Sequence, residues 1–163
     1  MKIFAMTPAD WPFVMEIYLE GIATGDATFE TSAPDWEQWD ANHHQFARLV
    51  IKQAKTVVGW AALSRVSARQ AYVGVAEVSV YVAEQSRGQG LGRQLLEALI
   101  TESEMNGIWT LQASVFPENV ASRMLHRHCG FREVGERVRI AKLNGVWRST
   151  LLLERRSRVV GAD

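Results

Sequence analysis

The stretch whose residue types and spacing can do the most chemistry is Arg87-Gly88-Gln89-Gly90-Leu91-Gly92. Before it, Val78, Val80 and Val82 alternate with Glu77, Ser79 and Tyr81, which predicts a strand with those two sets on opposite faces. After it, Leu91, Leu95 and Leu99 fall on one stripe with Leu96 and Ile100 beside them, which predicts a helix stopped at Asn106-Gly107. A strand, a glycine turn and a helix make an anion site. The first amides of a helix lack internal partners, the macrodipole adds partial positive charge there, and glycine lets the backbone approach a phosphate. Arg87 and Arg93 flank the turn with further positive charge.

Two familiar phosphate loops do not fit. A Walker A loop needs Gly-Lys-Ser/Thr, whereas Arg93 and Gln94 follow Gly92. A dinucleotide fingerprint needs G-x-G-x-x-G and an acid ending the next strand. The spacing here is G-x-G-x-G, and Leu111 to Phe116 carries no acid.

The other elements must position this turn. Lys2 to Met6 predicts a strand, and Thr7-Pro8 a helix start, with Val14, Ile17, Tyr18 and Ile22 on its inner face. Ser32 to Phe46 predicts a second helix, capped near Ser32 and carrying Trp36 and Trp39. Leu49–Ile51 and Thr56–Leu63 predict two strands around a Lys52–Lys55 turn, and Arg65 to Tyr72 a loop. Trp109–Val115 predicts a strand, and Asn119 caps a short helix ending at Gly130. Phe131–Ile140 and Val146–Leu153 form a hairpin at Asn144-Gly145. The order βααβββαβαββ predicts an α/β fold with a mixed sheet and helices on both faces.

Composition bounds the rest. The chain has 163 residues, 47% hydrophobic and 22% charged, so one globular domain over residues 1–163 is expected, with a loose tail from Arg155 to Asp163. Zero formal net charge gives no basis for a nucleic-acid or membrane partner. A lone cysteine, Cys129, fits a reducing compartment, and no apolar signal or spanning segment is read, so a cytoplasmic location is expected. His43, His44, His126 and His128 lack metal-ligand spacing, so no metal is expected.

Arg87, Gly90 and Gly92 as R-x-x-G-x-G resemble the acyl-CoA pyrophosphate loop of the GNAT superfamily of N-acetyltransferases. Asn119-Val120-Ala121-Ser122 through to Cys129-Gly130-Phe131 resembles its second CoA motif. Ala27-Thr28-Phe29-Glu30-Thr31, Ala71-Tyr72 and Ala76 to Val82 resemble the phosphinothricin acetyltransferase branch. Val115–Asn119, Phe131–Gly135 and Leu143–Arg148 are similar to arsinothricin-resistance enzymes within it. The similarity runs from about Ile3 to Arg155. Two departures stand out: the branch often carries His-Gly where Ile140-Ala141 stands, and Asp where Ser149 stands.

The resemblance implies a GNAT fold, a mostly antiparallel twisted sheet flanked by helices, acetyl-CoA as cosubstrate, a role in antibiotic or herbicide resistance, and a homodimer. It implies that Val80, Tyr81, Val82, Arg87, Gly88, Gln89, Gly90, Leu91, Gly92, Arg93, Asn119 and Ser122 hold the CoA. A bulge in the Val80–Val82 strand, as in the superfamily, would offer backbone amides to the oxyanion and an edge to the pantetheine arm.

The acceptor amine is protonated at neutral pH and needs a base. Glu77 is the candidate, against a reading as a solvent-facing strand residue or an ion-pair partner. His126 stands where many members carry a tyrosine that protonates the leaving thiolate; acid, hydrogen-bond partner and surface histidine all remain open. Phe29, Arg69 and Tyr72 are the candidate acceptor residues beside Glu77, Arg69 for an oxyanion group, against a reading as an exposed arginine. The expected acceptor is a small amino acid or analogue of the phosphinothricin, arsinothricin or methionine sulfone/sulfoximine type. The alternatives are a protein N-terminus or lysine, or a module that binds CoA without catalysis.

Overall fold

The apolar residues fall into two sets, and the fold buries each on one face of a single sheet. The computed structural model describes residues 1–163. In chain order the elements are β1 (Lys2–Ala5), α1 (Trp11–Ala23), α2 (Trp36–Asn42), β2 (Leu49–Gln53), β3 (Thr56–Arg65), β4 (Val75–Val82), α3 (Leu91–Met105), β5 (Thr110–Val115), α4 (Val120–His128), β6 (Arg132–Leu143) and β7 (Val146–Arg156). This matches the element order expected from the sequence. The seven strands lie in the order β1-β2-β3-β4-β5-β7-β6. Every neighbouring pair is antiparallel except β4 and β5, which are parallel because α3 carries the chain across between them.

Leu91, Leu95, Leu96 and Leu99 of α3 pack on Ile51, Ala61, Leu63, Val78, Leu111 and Ala113. On the other face, Val14 and Ile17 of α1 and Trp39 of α2 pack on Val50, Trp60 and Ala62. The split follows strand alternation: Val78, Val80 and Val82 turn towards α3, and Tyr81 towards α1. Trp11 meets Trp39 at 5.6 Å between ring centroids and Trp39 meets Trp60 at 5.8 Å, so aromatic rings fasten α2 to α1 and to the sheet.

Three expectations are corrected. The second helix is shorter than Ser32–Phe46: Asp35, not Ser32, caps it, its Oδ1 accepting from Gln38 N at 2.9 Å. Pro34 disfavours a helical residue ahead of it, which delays the start, and the chain turns extended at His43 to bridge Ser64. The tail is not loose from Arg155, because Arg155 and Arg156 complete β7 and Ser157 is buried. Arg155 Nη1 and Ser157 Oγ donate to Glu104 Oε1 on α3 at 3.0 and 2.9 Å, and Arg156 Nη1 donates to the Trp109 carbonyl at 3.0 Å. Finally, β4 carries no bulge: its ladder with β3 is unbroken from Gly59↔Val82 to Arg65↔Ala76. The irregular registers lie in the β2–β3 and β6–β7 pairs.

Candidate active site

The glycine turn adopts the geometry an anion needs. Gly88 and Gly90 sit at φ 74° and 76°, where a side chain would be strained, and a Cβ on either would meet nothing within 4 Å. The backbone is therefore open to solvent at the N-terminus of α3. Gly92 serves packing instead: its Cβ would lie 3.3 Å from Leu125 of α4. The groove beside the turn is about 710 Å³. All the residues assigned to CoA from the sequence line it, except Gln89, which is exposed. Thr24, Asp26, Ala27 and Glu118 also line it and were not anticipated.

The groove leads to a gap in the sheet. β4 and β5 pair only at Val75↔Thr110, Ala76↔Leu111 and Glu77↔Gln112, although β4 runs on to Val82. Ala83 N–H donates to the Val58 carbonyl at 2.9 Å, so odd-numbered residues of β4 spend their backbone groups on β3. Alternation then turns the N–H and C=O groups of Val80 and Val82 towards the gap. The Val82 carbonyl there accepts from Arg87 Nε at 3.2 Å. A free backbone edge facing the groove thus arises from divergence of two parallel strands, on a strand whose ladder with β3 is unbroken.

Glu77 stands at the last paired position before the divergence and is half-buried. Two cavities meet at it. One, about 250 Å³, contains Phe29, Phe116, Ser122, His126 and Thr150. The other, about 650 Å³, runs towards α2 past Tyr18, Glu30, Trp39, His43 and Trp60. Thr28, Ser64, Glu77, Ser79 and Tyr81 belong to both. Neither cavity is lined by a lysine or arginine. Burial pushes the Tyr81 hydroxyl well above its ordinary range, with the neighbouring Tyr18 adding to the shift, so both rings present neutral hydroxyls. Gly21 of α1 makes room for this arrangement, since a Cβ there would come within 2.7 Å of the Tyr81 ring.

His126 is buried on α4. Its Nδ1 lies 2.8 Å from the Ser122 carbonyl and 3.3 Å from Ser122 Oγ, and its ring meets Phe131 edge to face. A carbonyl accepts, so Nδ1 carries the proton and Nε2 presents a lone pair; Nε2 is buried without a partner. Burial lowers its pKa below the ordinary histidine value, against the Ser122 carbonyl, which raises it. His43 is held neutral in the same way, stacked at 4.0 Å on Trp39, with burial the largest cause.

The structure therefore brings Glu77, His126 and Phe29 into one cavity, Phe29 wedged edge to face on Phe116 at 4.9 Å. It does not bring Arg69 and Tyr72 to either cavity. Both are exposed on the loop beyond the end of β3, the Arg69 guanidinium 5.7 Å from the Tyr72 ring. Adjacency in sequence to the Glu77 strand suggested them; the loop runs past the Arg65↔Ala76 end of the sheet instead. The sequence reading missed Thr28, Ser79, Trp60 and Thr150 as lining residues. Ser79 and Thr28 were within reach of it, because Ser79 shares the Glu77 face of the strand and Thr28 precedes Phe29. Ser149, where the branch often has Asp, accepts from Arg139 N at 2.9 Å across the irregular part of β6. No group of three or more His, Cys, Asp or Glu is placed to hold a metal ion, and no helix is long and apolar enough to cross a membrane.

Residues 11–131 match the family model described as acetyltransferase (GNAT) family. The L-methionine sulfoximine/L-methionine sulfone acetyltransferase of Pseudomonas paraeruginosa is 31% identical over 145 residues, covering 85% of this chain and 84% of its own. The crystal structure of the GNAT superfamily phosphinothricin acetyltransferase of Sinorhizobium meliloti, in complex with acetyl-CoA, superposes with a TM-score of 0.88 at 26% identity, over 99% of this chain and 91% of that one. The ribosomal-protein-alanine N-acetyltransferase of Brucella melitensis gives a TM-score of 0.88 at 31% identity, over 96% and 100%. With the glycine turn at the head of α3, the parted β4 and β5 and a family match over most of its length, the chain belongs to the GNAT family of acetyltransferases.

Proposed function

We propose that the protein transfers the acetyl group of acetyl-CoA to the amino group of a small amino acid or amino-acid analogue of the phosphinothricin, arsinothricin or methionine sulfone/sulfoximine type. The observation that carries this reading is the position of Glu77, where the two cavities meet and beside the gap between β4 and β5. Acetyl-CoA would lie with its pyrophosphate on the amides of the turn at Gly88–Gly92 and its pantetheine along Val80 and Val82. Its thioester would then reach the cavity shared by Glu77 and His126. The amine, deprotonated by Glu77, attacks the thioester carbonyl. Charge developing on the carbonyl oxygen faces the free backbone amides of β4. Collapse breaks the C–S bond; the proton shed by the new amide nitrogen goes to the CoA thiolate, so CoA leaves as the thiol, and Glu77 returns the proton it took from the ammonium to solvent.

Small acceptors fit the polar walls. Thr28, Ser32, Ser64 and Ser79 offer hydroxyls, while Tyr18, Trp60 and Tyr81 supply aromatic surface. By the same reading the enzyme works as a homodimer in the cytoplasm and detoxifies such analogues, which would confer resistance. The edge strand β6 and the exposed Val138, Ile140, Val146 and Trp147 offer a surface for the dimer, which a sedimentation run would measure.

A thiol-release assay across free amino acids, these analogues and N-terminal peptides tests the acceptor. We expect kcat/KM at least about tenfold higher for one analogue than for any peptide, a gap of about 1.4 kcal/mol in transition-state binding. A second reading, acetylation of a protein N-terminus, is favoured by the likeness to the Brucella enzyme. Better turnover of peptides would put it in first place.

A further inference from the structure

Arg148 of β7 was not singled out by its motif for any role, yet its side chain is only 17% exposed and is bonded on several sides. Nη1 donates to the Gly25 carbonyl at 2.9 Å; Nη2 donates to Asp26 Oδ1 at 2.8 Å and to Glu118 Oε2 at 3.3 Å. The guanidinium also lies over the Phe116 ring, 4.1 Å from its centroid, and Phe116 holds Phe29. From α4, Asn119 Nδ2 donates to the Asp26 carbonyl at 3.0 Å, while its Oδ1 caps the helix through Ser122 N.

Three of these hydrogen bonds end on Gly25 and Asp26, and Phe116 reaches Phe29, so together they bear on residues 25–29. That segment has no helix or strand of its own and is the partition between the two sites. Asp26 and Ala27 line the groove of the glycine turn; Ala27, Thr28 and Phe29 line the cavity of Glu77 and His126. Asp26 and Glu118 are both acids, and the Arg148 guanidinium bonded to each offsets their like charge. A planar guanidinium can serve two carboxylates and a carbonyl at once, which an ammonium on a flexible stem does less well.

We propose that Arg148 is a positioning residue that ties the acceptor-side segment 25–29 to the acetyl-CoA groove, so that filling the groove orders the wall of the acceptor cavity. The proposal rests on the reading of the groove as the acetyl-CoA site. Glu118 and Asn119 carry the effect, since both line that groove and both touch Arg148 or Asp26. The coupling is reciprocal: an acceptor that settles against Phe29 would tighten CoA.

Hydrogen exchange on the full chain, with CoA itself as the probe, tests this without reference to the acceptor. In the wild type, CoA should slow exchange of the amides at residues 87–93, and about tenfold or more at residues 26–30. Arg148→Met should keep the protection at 87–93 and lose it at 26–30, with Arg148→Lys intermediate. Asp26→Asn, which loosens the same clamp without touching β7, should weaken protection at 26–30 in the same direction. Undiminished protection at 26–30 in Arg148→Met would overturn the proposal. So would a wild type in which CoA protects 87–93 alone, which leaves the acetyl-CoA site standing. Protection at neither place would remove the site and the proposal together.

Discussion

His126 Nδ1–H donates a hydrogen bond to the Ser122 carbonyl, one helical turn back on α4, across 2.8 Å. That bond fixes the tautomer: the nitrogen left over, Nε2, is a buried acceptor without a partner. A group in this state does not begin the reaction as an acid. We expect His126→Asn, which stays polar and neutral, to keep kcat/KM within about tenfold of wild type, below the 10²–10⁴ typical of lost acid–base catalysis. A fall of about 10² or more, with loss of the alkaline limb of the pH–rate profile, would restore the acid role.

Glu77 faces the opposite test. Replacing the carboxylate by an amide, Glu77→Gln, removes the base while keeping the shape. We expect kcat/KM at neutral pH to drop by roughly 10²–10⁴. The rise in melting temperature produced by acetyl-CoA should be unchanged, because the groove is lined without Glu77. Activity within a few-fold of wild type would make Glu77 an ordinary strand residue.

The turn is tested at Gly90, whose φ of 76° and open surroundings leave the backbone bare towards the groove. Gly90→Glu would set a carboxylate where a pyrophosphate should lie, and the acetyl-CoA melting shift should vanish. Gly90→Asn, which tolerates this backbone region, controls for strain and should keep part of the shift. An undiminished shift in Gly90→Glu would move the CoA site elsewhere.

Stability should depend on pH through the buried His126 and the partly buried His43. Burial depresses the pKa of both His43 and His126 in the native state, whereas the unfolded chain titrates near 6.5. Below about pH 6.5 the unfolded state therefore binds protons that the native state refuses. The contribution is complete above that pH and is lost as pH falls towards the native values. Urea midpoints should hold between pH 7.5 and 6.5 and decline by pH 5.5, before the carboxylates Asp10 and Glu104 begin to titrate. Midpoints that stay level to pH 5.5 would show that these rings are not buried neutral.

The amino-acid sequence alone specified whatever is local. The order of strands and helices, the cap at Asn119, the Asn144-Gly145 hairpin and the anion turn at Gly88–Gly92 each depend on residues a few positions apart. Alternation along Glu77–Val82 placed Glu77 on the face opposite Val78 correctly for the same reason. One limit has a local cause, Pro34, which moved the helix start expected at Ser32 to Asp35; another is long-range, since the arginines at 155 and 156, read as part of a loose tail, are held by Glu104 and the Trp109 carbonyl far back in the chain. Tertiary structure alone decided that β4 and β5 part after Glu77↔Gln112, and that Arg148 reaches Asp26, 122 positions away in the chain. It likewise left Arg69 outside the cavities and put Phe29 against Phe116. Strand divergence and long-range ion pairs depend on how separate elements pack, and no spacing within one segment encodes them.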